Sequence, residues 1–240
     1  MATFVLVHGA LHGAWCWYRV VPRLDRAGHR VIAVDLPGMG RDRTPLSEVT
    51  LATWAESVRR VVEAEPEPVV LVGHSRGGIV VSEVAERVPA RVKVLVYVTA
   101  FLLRDGEALL PTAETDGGSS ILPNLIPSAD GKTVTVREEA VRRLFYGSSS
   151  DEDVTLARLL LGPEPLGPSG TPVRVTAERF GSVKRAYVEC LRDRTISIEL
   201  QRRMVAASPC GKVFTLDTDH SPFFSAPDDL ARHLIAVASE

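Results

Sequence analysis

The chain has 240 residues, 45% hydrophobic and 24% charged, with 28 basic against 30 acidic side chains. That length fits one α/β domain with a full core, or at most two small domains. The near balance of charge leaves no basic footprint for nucleic acid or an anionic membrane. Cys16, Cys190 and Cys210 are too few and too scattered for a disulfide framework or a zinc site. The chain enters an apolar strand directly after Met1 and has no apolar stretch of membrane-spanning length. The expectation is a cytoplasmic protein with no signal peptide.

Thr3–Val7 is the first predicted strand, and Ala14–Ala27 reads as a helix ended by Gly28. Arg30–Val34 is the second strand, followed by the Gly-rich loop Pro37-Gly38-Met39-Gly40. In the helix Leu51–Glu65, residues Leu51, Trp54, Ala55, Val58, Val61 and Val62 share one face. Strands follow at Val69–Val72 and Val92–Val98, with a helical pattern over Gly78–Arg87 between them. Strands resume at Arg185–Leu191 and Lys212–Leu216. The last helix is expected to take Ser225 as its N-cap, Pro227 at its first position and Asp228 in its first turn. Six apolar runs alternating with helical periodicity predict a mostly parallel sheet, covered by helices on both faces through right-handed crossovers.

Residues 104–180 break this alternation with Gly-Ser, Pro-rich and charged stretches, and they are too long for an ordinary loop. Arg137–Tyr146 and Asp151–Leu161 within them read as two short amphipathic helices. Leu144, Phe145, Tyr146 and Leu159–Leu161 need a surface to bury against. A cap over an active site meets that need better than a disordered insert. The expected organisation is a core of residues 1–103 and 181–240 with a helical cap at 104–180.

The chemistry concentrates at Gly73-His74-Ser75-Arg76-Gly77, directly after the run Val69-Val70-Leu71-Val72. Gly-x-Ser-x-Gly between a strand and a helix is the nucleophile elbow of α/β-hydrolases, a turn so sharp that the serine sits at its tip. The competing reading, a Gly-rich turn with an idle serine, does not explain why strand, turn and helix come in that order. A serine hydroxyl is a weak nucleophile until an imidazole takes its proton, and the imidazole needs an acid to orient it. In this fold the order along the chain is serine, acid, histidine. His220, in the loop after the last strand, is the candidate base, since His233 lies inside the last helix and His8, His12, His29 and His74 precede the serine. For the acid, Asp219 adjoins the base and Asp217 is only three residues from it. Asp105 follows the strand after the elbow, an alternative position for the acid in this fold. Asp193 lies at the carboxyl end of the next strand, where open α/β sheets gather site residues, and is favoured. Its neighbours Arg192 and Arg194 leave a surface ion pair as the competing reading. Acyl transfer also needs two donors for the developing oxyanion. The backbone N–H groups of Arg76, after the serine, and of Ala10, in the loop His8-Gly9-Ala10, are the candidates.

Three N-terminal runs, Phe4-Val5-Leu6-Val7-His8-Gly9-Ala10, His12-Gly13-Ala14-Trp15-Cys16-Trp17-Tyr18 and Ala27-Gly28-His29-Arg30-Val31, resemble the signature of the plant methylesterase and hydroxynitrile lyase family. Phe180-Gly181-Ser182-Val183-Lys184-Arg185 and Tyr187-Val188-Glu189-Cys190 resemble the run leading to that family's catalytic aspartate, which strengthens Asp193. Between about Asp116 and Pro172 the match is patchy. The resemblance implies a cofactor-free, metal-free hydrolase or lyase with a buried apolar pocket for a small ester, often a homodimer. The lyase members carry a threonine at the position of Gly9 and a lysine at that of Ser221, one to hold the cyanohydrin and one to stabilise departing cyanide. Gly9 and Ser221 therefore point to the esterase branch, with lyase-like chemistry as the alternative. Arg76 departs from the family, which is usually apolar there. Its guanidinium must reach solvent or a carboxylate, or else face the pocket and hold an acidic substrate.

Overall fold

The computed structural model describes residues 1–239. The strands β1 (Thr3–Val7), β2 (Arg30–Val34), β3 (Val69–His74) and β4 (Val92–Val98) form the first part of the main sheet. Three short strands follow within the inserted segment: β5 (Leu125–Pro127), β6 (Thr133–Val136) and β7 (Glu164–Pro165). The main sheet is completed by β8 (Arg185–Cys190) and β9 (Lys212–Leu216). Its order is β2-β1-β3-β4-β8-β9 with every neighbouring pair parallel, so the fold is that of an α/β-hydrolase.

The sheet separates two apolar cores, and each inner strand feeds both by its two-residue alternation. Val5, Val7, Val69 and Leu71 point into one core, where helices Leu51–Ala64, Gly77–Arg87 and Ile198–Ala207 pack. Phe4, Leu6, Val70 and Val72 point into the other, which is closed by Val21–Arg26, Pro227–Ala238 and helices of the insertion. Burial on both faces is why these strands read as continuous apolar runs. The chain turns one way from β1 to β2 and then returns to β3 on the far side of β1. The loops after β1 and β3 therefore diverge and leave a crevice at the carboxyl ends of the strands.

Three local expectations are corrected. Ala14–Ala27 is not one helix: a 3-10 turn at Ala14–Trp17 precedes a helix restricted to Val21–Arg26, with Pro22 in its first turn. Ser225 does not cap the last helix. It ends the separate turn Pro222–Ser225, the helix starts at Pro227 after Ala226, and the Ser225 hydroxyl donates to Asp219 instead. The inserted segment is not purely helical. Alongside helices Leu109–Glu114, Val141–Phe145 and Asp151–Leu160 it carries the antiparallel sheet β5-β6-β7. Strands of two to four residues offer too few alternations to stand out in a sequence. From Val173 to Phe180 the segment packs its apolar side chains into the first core.

Candidate active site

Ser75 sits between β3 and the helix Gly77–Arg87 with φ +52°, a left-handed conformation that non-glycine residues rarely adopt. The turn is possible because its flanks are bare. A Cβ on Gly77 would lie 2.9 Å from the carbonyl oxygens of Val7 and His8, and one on Gly73 would lie 2.8 Å from the carbonyl oxygen of Gly77. The serine is thereby driven against the end of β1.

His220, in the loop after β9, reaches the serine: its Nε2 lies 3.0 Å from Ser75 Oγ. Its Nδ1 lies 2.6 Å from Asp193 Oδ2, just past the end of β8. Asp193 is fixed on its other side, where Oδ1 accepts the N–H groups of Thr195 at 2.6 Å and Ile196 at 2.9 Å. The Thr99 hydroxyl, at the end of β4, also donates to Oδ2. With Oδ1 occupied by two backbone donors, Oδ2 is held toward the imidazole, which keeps a proton on Nδ1 and a lone pair on Nε2.

The other aspartates are engaged elsewhere. Asp105 accepts from Val175 N at 3.1 Å, and Asp217 pairs with Arg192 at the surface. Asp219 accepts from Ser148 N, Ser221 N and Ser225 Oγ, so it braces the His220 loop without touching the imidazole, and burial raises its pKa. The Arg192 neighbour of Asp193 thus has its own carboxylate, and Asp193 turns inward.

The loop after β1 closes the site. His8 Nδ1 donates to Gly9 O at 2.8 Å and His12 Nδ1 to Ala10 O at 2.6 Å. His74 Nε2 donates to the carbonyl of His220 at 2.8 Å. Burial keeps these imidazoles neutral, with His8 and His74 well below the usual range and His12 at about 3. Each therefore has one N–H to give, and each gives it to a backbone carbonyl of the site. Ala10 and Arg76 both line the adjoining pocket, and among the described residues neither backbone N–H finds an acceptor.

That pocket opens beside Ser75 and His220. Its walls are apolar, with Leu109, Leu110, Leu122, Leu125 and Phe145 coming from the inserted segment. Arg76 borders it, but the guanidinium is wholly buried and its charge is met by a carboxylate. Nε lies 2.8 Å from Glu164 Oε1, Nη2 lies 3.0 Å from Gly9 O, and the group stacks 4.0 Å from the Trp54 ring centroid. Thr99 and Glu164 are absent from the sequence analysis, which names His8, His12 and His74 only to set them aside as the base. Nothing in the sequence marks Thr99 or links Glu164 to a residue 88 positions earlier. Among the described residues no cluster of His, Cys, Asp or Glu is placed to hold a metal ion, and no helix is long and apolar enough to cross a membrane.

Comparison with known proteins agrees with this architecture. Residues 4–233 match the alpha/beta hydrolase family. Methylesterase 2 of Arabidopsis thaliana is 36% identical over 251 residues, covering 98% of this chain and 95% of the relative. Methyl jasmonate esterase 1 of Vitis vinifera is 33% identical over 254 residues, covering 96% and 94%. Among solved structures, a methylesterase from Arabidopsis superposes with a TM-score of 0.86 at 30% identity, covering 100% of this chain and 99% of that one. The chain belongs to the alpha/beta hydrolase family, within its methylesterase group. It is an ester-hydrolysing enzyme.

Proposed function

We propose that the protein is a serine carboxylesterase that cleaves small, uncharged, largely apolar esters, such as methyl or aryl esters, through an acyl-enzyme. The observation that carries this reading is the continuous run Ser75–His220–Asp193, at 3.0 and 2.6 Å, ending at the mouth of an apolar pocket. Ser75 Oγ attacks the ester carbonyl while His220 Nε2 takes its proton, and Asp193 stabilises the imidazolium that forms. The N–H groups of Ala10 and Arg76 receive the oxyanion. His220 then returns the proton to the leaving alkoxide. A water deprotonated by the same imidazole releases the acid. Segment 104–180 acts as the lid that supplies the apolar walls.

An uncharged substrate follows from Arg76. Its guanidinium is already paired with Glu164, so the pocket offers no net positive charge to a carboxylate. Lyase chemistry is disfavoured by the same surroundings. Gly9 has no hydroxyl and no room for one, and Ser221 supplies no cation. A panel of methyl and aryl esters differing in acyl size and charge tests the assignment, with mandelonitrile as comparator. Neutral esters should be cleaved, Ser75→Ala should abolish turnover, and a fluorophosphonate should label the parent protein but not the variant. Cyanide release faster than cleavage of any ester would overturn the reading.

A further inference from the structure

Arg76 raises a physical question. Arg76 is 1% and Glu164 3% exposed, so both charges pay a large desolvation cost, and buried ion pairs are often replaceable by apolar residues of similar volume without loss of stability. Arg76 Nη1 is moreover buried without a partner, a further cost. Unfavourable local arrangements of this kind persist where they serve a site.

The pair's remaining contacts indicate what it serves. Arg76 Nη2 donates to Gly9 O at 3.0 Å, and Glu164 Oε2 accepts from Leu11 N at 2.8 Å. These two groups flank Ala10 on either side. Leu11, held at φ +66°, also has its carbonyl taken by Gly162 N at 2.9 Å. The Gly9 carbonyl and the Ala10 N–H belong to one trans peptide and point in opposite directions. Whatever fixes Gly9 O therefore aims Ala10 N–H. That oxygen accepts both the neutral His8 Nδ1–H at 2.8 Å and Arg76 Nη2, and of the two it is the cationic donor that also polarises the N–H at the other end.

We propose that the buried Arg76–Glu164 pair is a positioning device that aims and polarises the Ala10 N–H as an oxyanion donor. Arg76 thereby acts on both donors, one with its backbone and the other, together with His8, through its side chain. Because Glu164 and Gly162 belong to the inserted segment, the second donor is aligned only when β7 is seated. This inference rests on the esterase reading above.

The test is the double variant Arg76→Leu/Glu164→Leu, which removes both charges together and so leaves no unpaired ion. Its kcat should fall by about tenfold to a hundredfold, with KM within about threefold of the parent. A trifluoromethyl ketone, to whose carbonyl Ser75 Oγ adds as His220 takes the proton, should bind weaker by the same factor as kcat falls. A purely structural role predicts instead that a double variant with parental thermal stability regains kcat. A kcat kept within about threefold, or a loss carried by KM alone, overturns the proposal. Should the double variant not fold, the near-isosteric Glu164→Gln should show the same coupled losses at about threefold to tenfold, and parental values there overturn it equally. If the parent protein cleaves no ester, the esterase reading fails. The clamp is then judged on the Ala10 amide resonance, which must shift between parent and variant for the proposal to stand.

Discussion

Replacing Asp193 by asparagine separates orientation of the imidazole from the integrity of the fold. The carboxylate accepts at both oxygens: Oδ1 from two backbone N–H groups, Oδ2 from His220 and Thr99. An amide NH2 placed at Oδ1 would face two donors, so the asparagine must keep its oxygen there and turn its NH2 toward His220. The imidazole then has to accept at Nδ1, which puts its proton on Nε2, facing Ser75. In that tautomer it cannot take the serine proton. The loss expected is about 10⁴-fold in kcat, or about 5 kcal/mol of transition-state stabilisation. Because the backbone contacts at Oδ1 survive, thermal stability should stay near that of the parent. Steady-state hydrolysis of a neutral aryl ester, alongside thermal unfolding, measures both quantities. Asp105→Asn serves as control and should stay within about twofold. A variant at position 193 that keeps a tenth or more of parental kcat would refute the tautomer argument, and a larger loss at position 105 would move the acid to the earlier strand.

Three further outcomes follow from the geometry around Ser75, His220 and Asp193. A threonine at position 9 places Cβ 2.7 Å from His74 Nδ1 and 2.9 Å from Ser75 Cβ. His74 is pinned to the His220 carbonyl, so Gly9→Thr should cost about 1–3 kcal/mol by overpacking and also depress kcat, readable by denaturant titration and ester turnover. Asp219→Ala strips the acceptor from Ser148 N and Ser221 N, and a urea midpoint shift equivalent to about 2 kcal/mol is expected. His8, His12 and His74 are held neutral in the fold but are ordinary imidazoles once unfolded, so below about pH 6.5 the unfolded chain binds more protons. Stability should be complete above that pH and fall as the pH drops toward 3, by at most about 4 kcal/mol per pH unit while all three contribute. The raised carboxyls of Glu164 and Asp219 act in the opposite sense and offset part of the loss at the acid end. Flat stability between pH 7 and 4.5 would contradict this account.

Whatever repeats locally was legible before any coordinates. The inner strands β1, β3, β4 and β8 announce themselves because burial on both faces demands unbroken apolar runs, while the more exposed edge strands β2 and β9 are marked by their β-branched residues and their place in the alternation. The elbow is legible because its turn admits only small residues at Gly73 and Gly77, and His220 is legible as a candidate because the fold fixes its order along the chain, whereas that order leaves both Asp105 and Asp193 open. The short sheet β5-β6-β7 has no such signal: its pairing joins residues as far apart as Thr133 and Pro165, and its strands are too short to show a period. The Ala14–Ala27 helix fails although its signal is local. Its apolar pattern runs on through Pro22, but a proline is accepted only in a helix's first turn, so the helix starts at Val21.

The sequence by itself determined the six strands of the main sheet and their order along the chain, and it singled out Ser75 and His220 as candidate nucleophile and base, since each is written in neighbouring residues or in chain order. Only the tertiary structure decided which aspartate faces the imidazole, which carboxylate meets Arg76, and which carbonyls the buried histidines hold. Those choices depend on where crossovers and the inserted segment bring distant groups within about 3 Å, the range at which a buried charge or donor must find its partner.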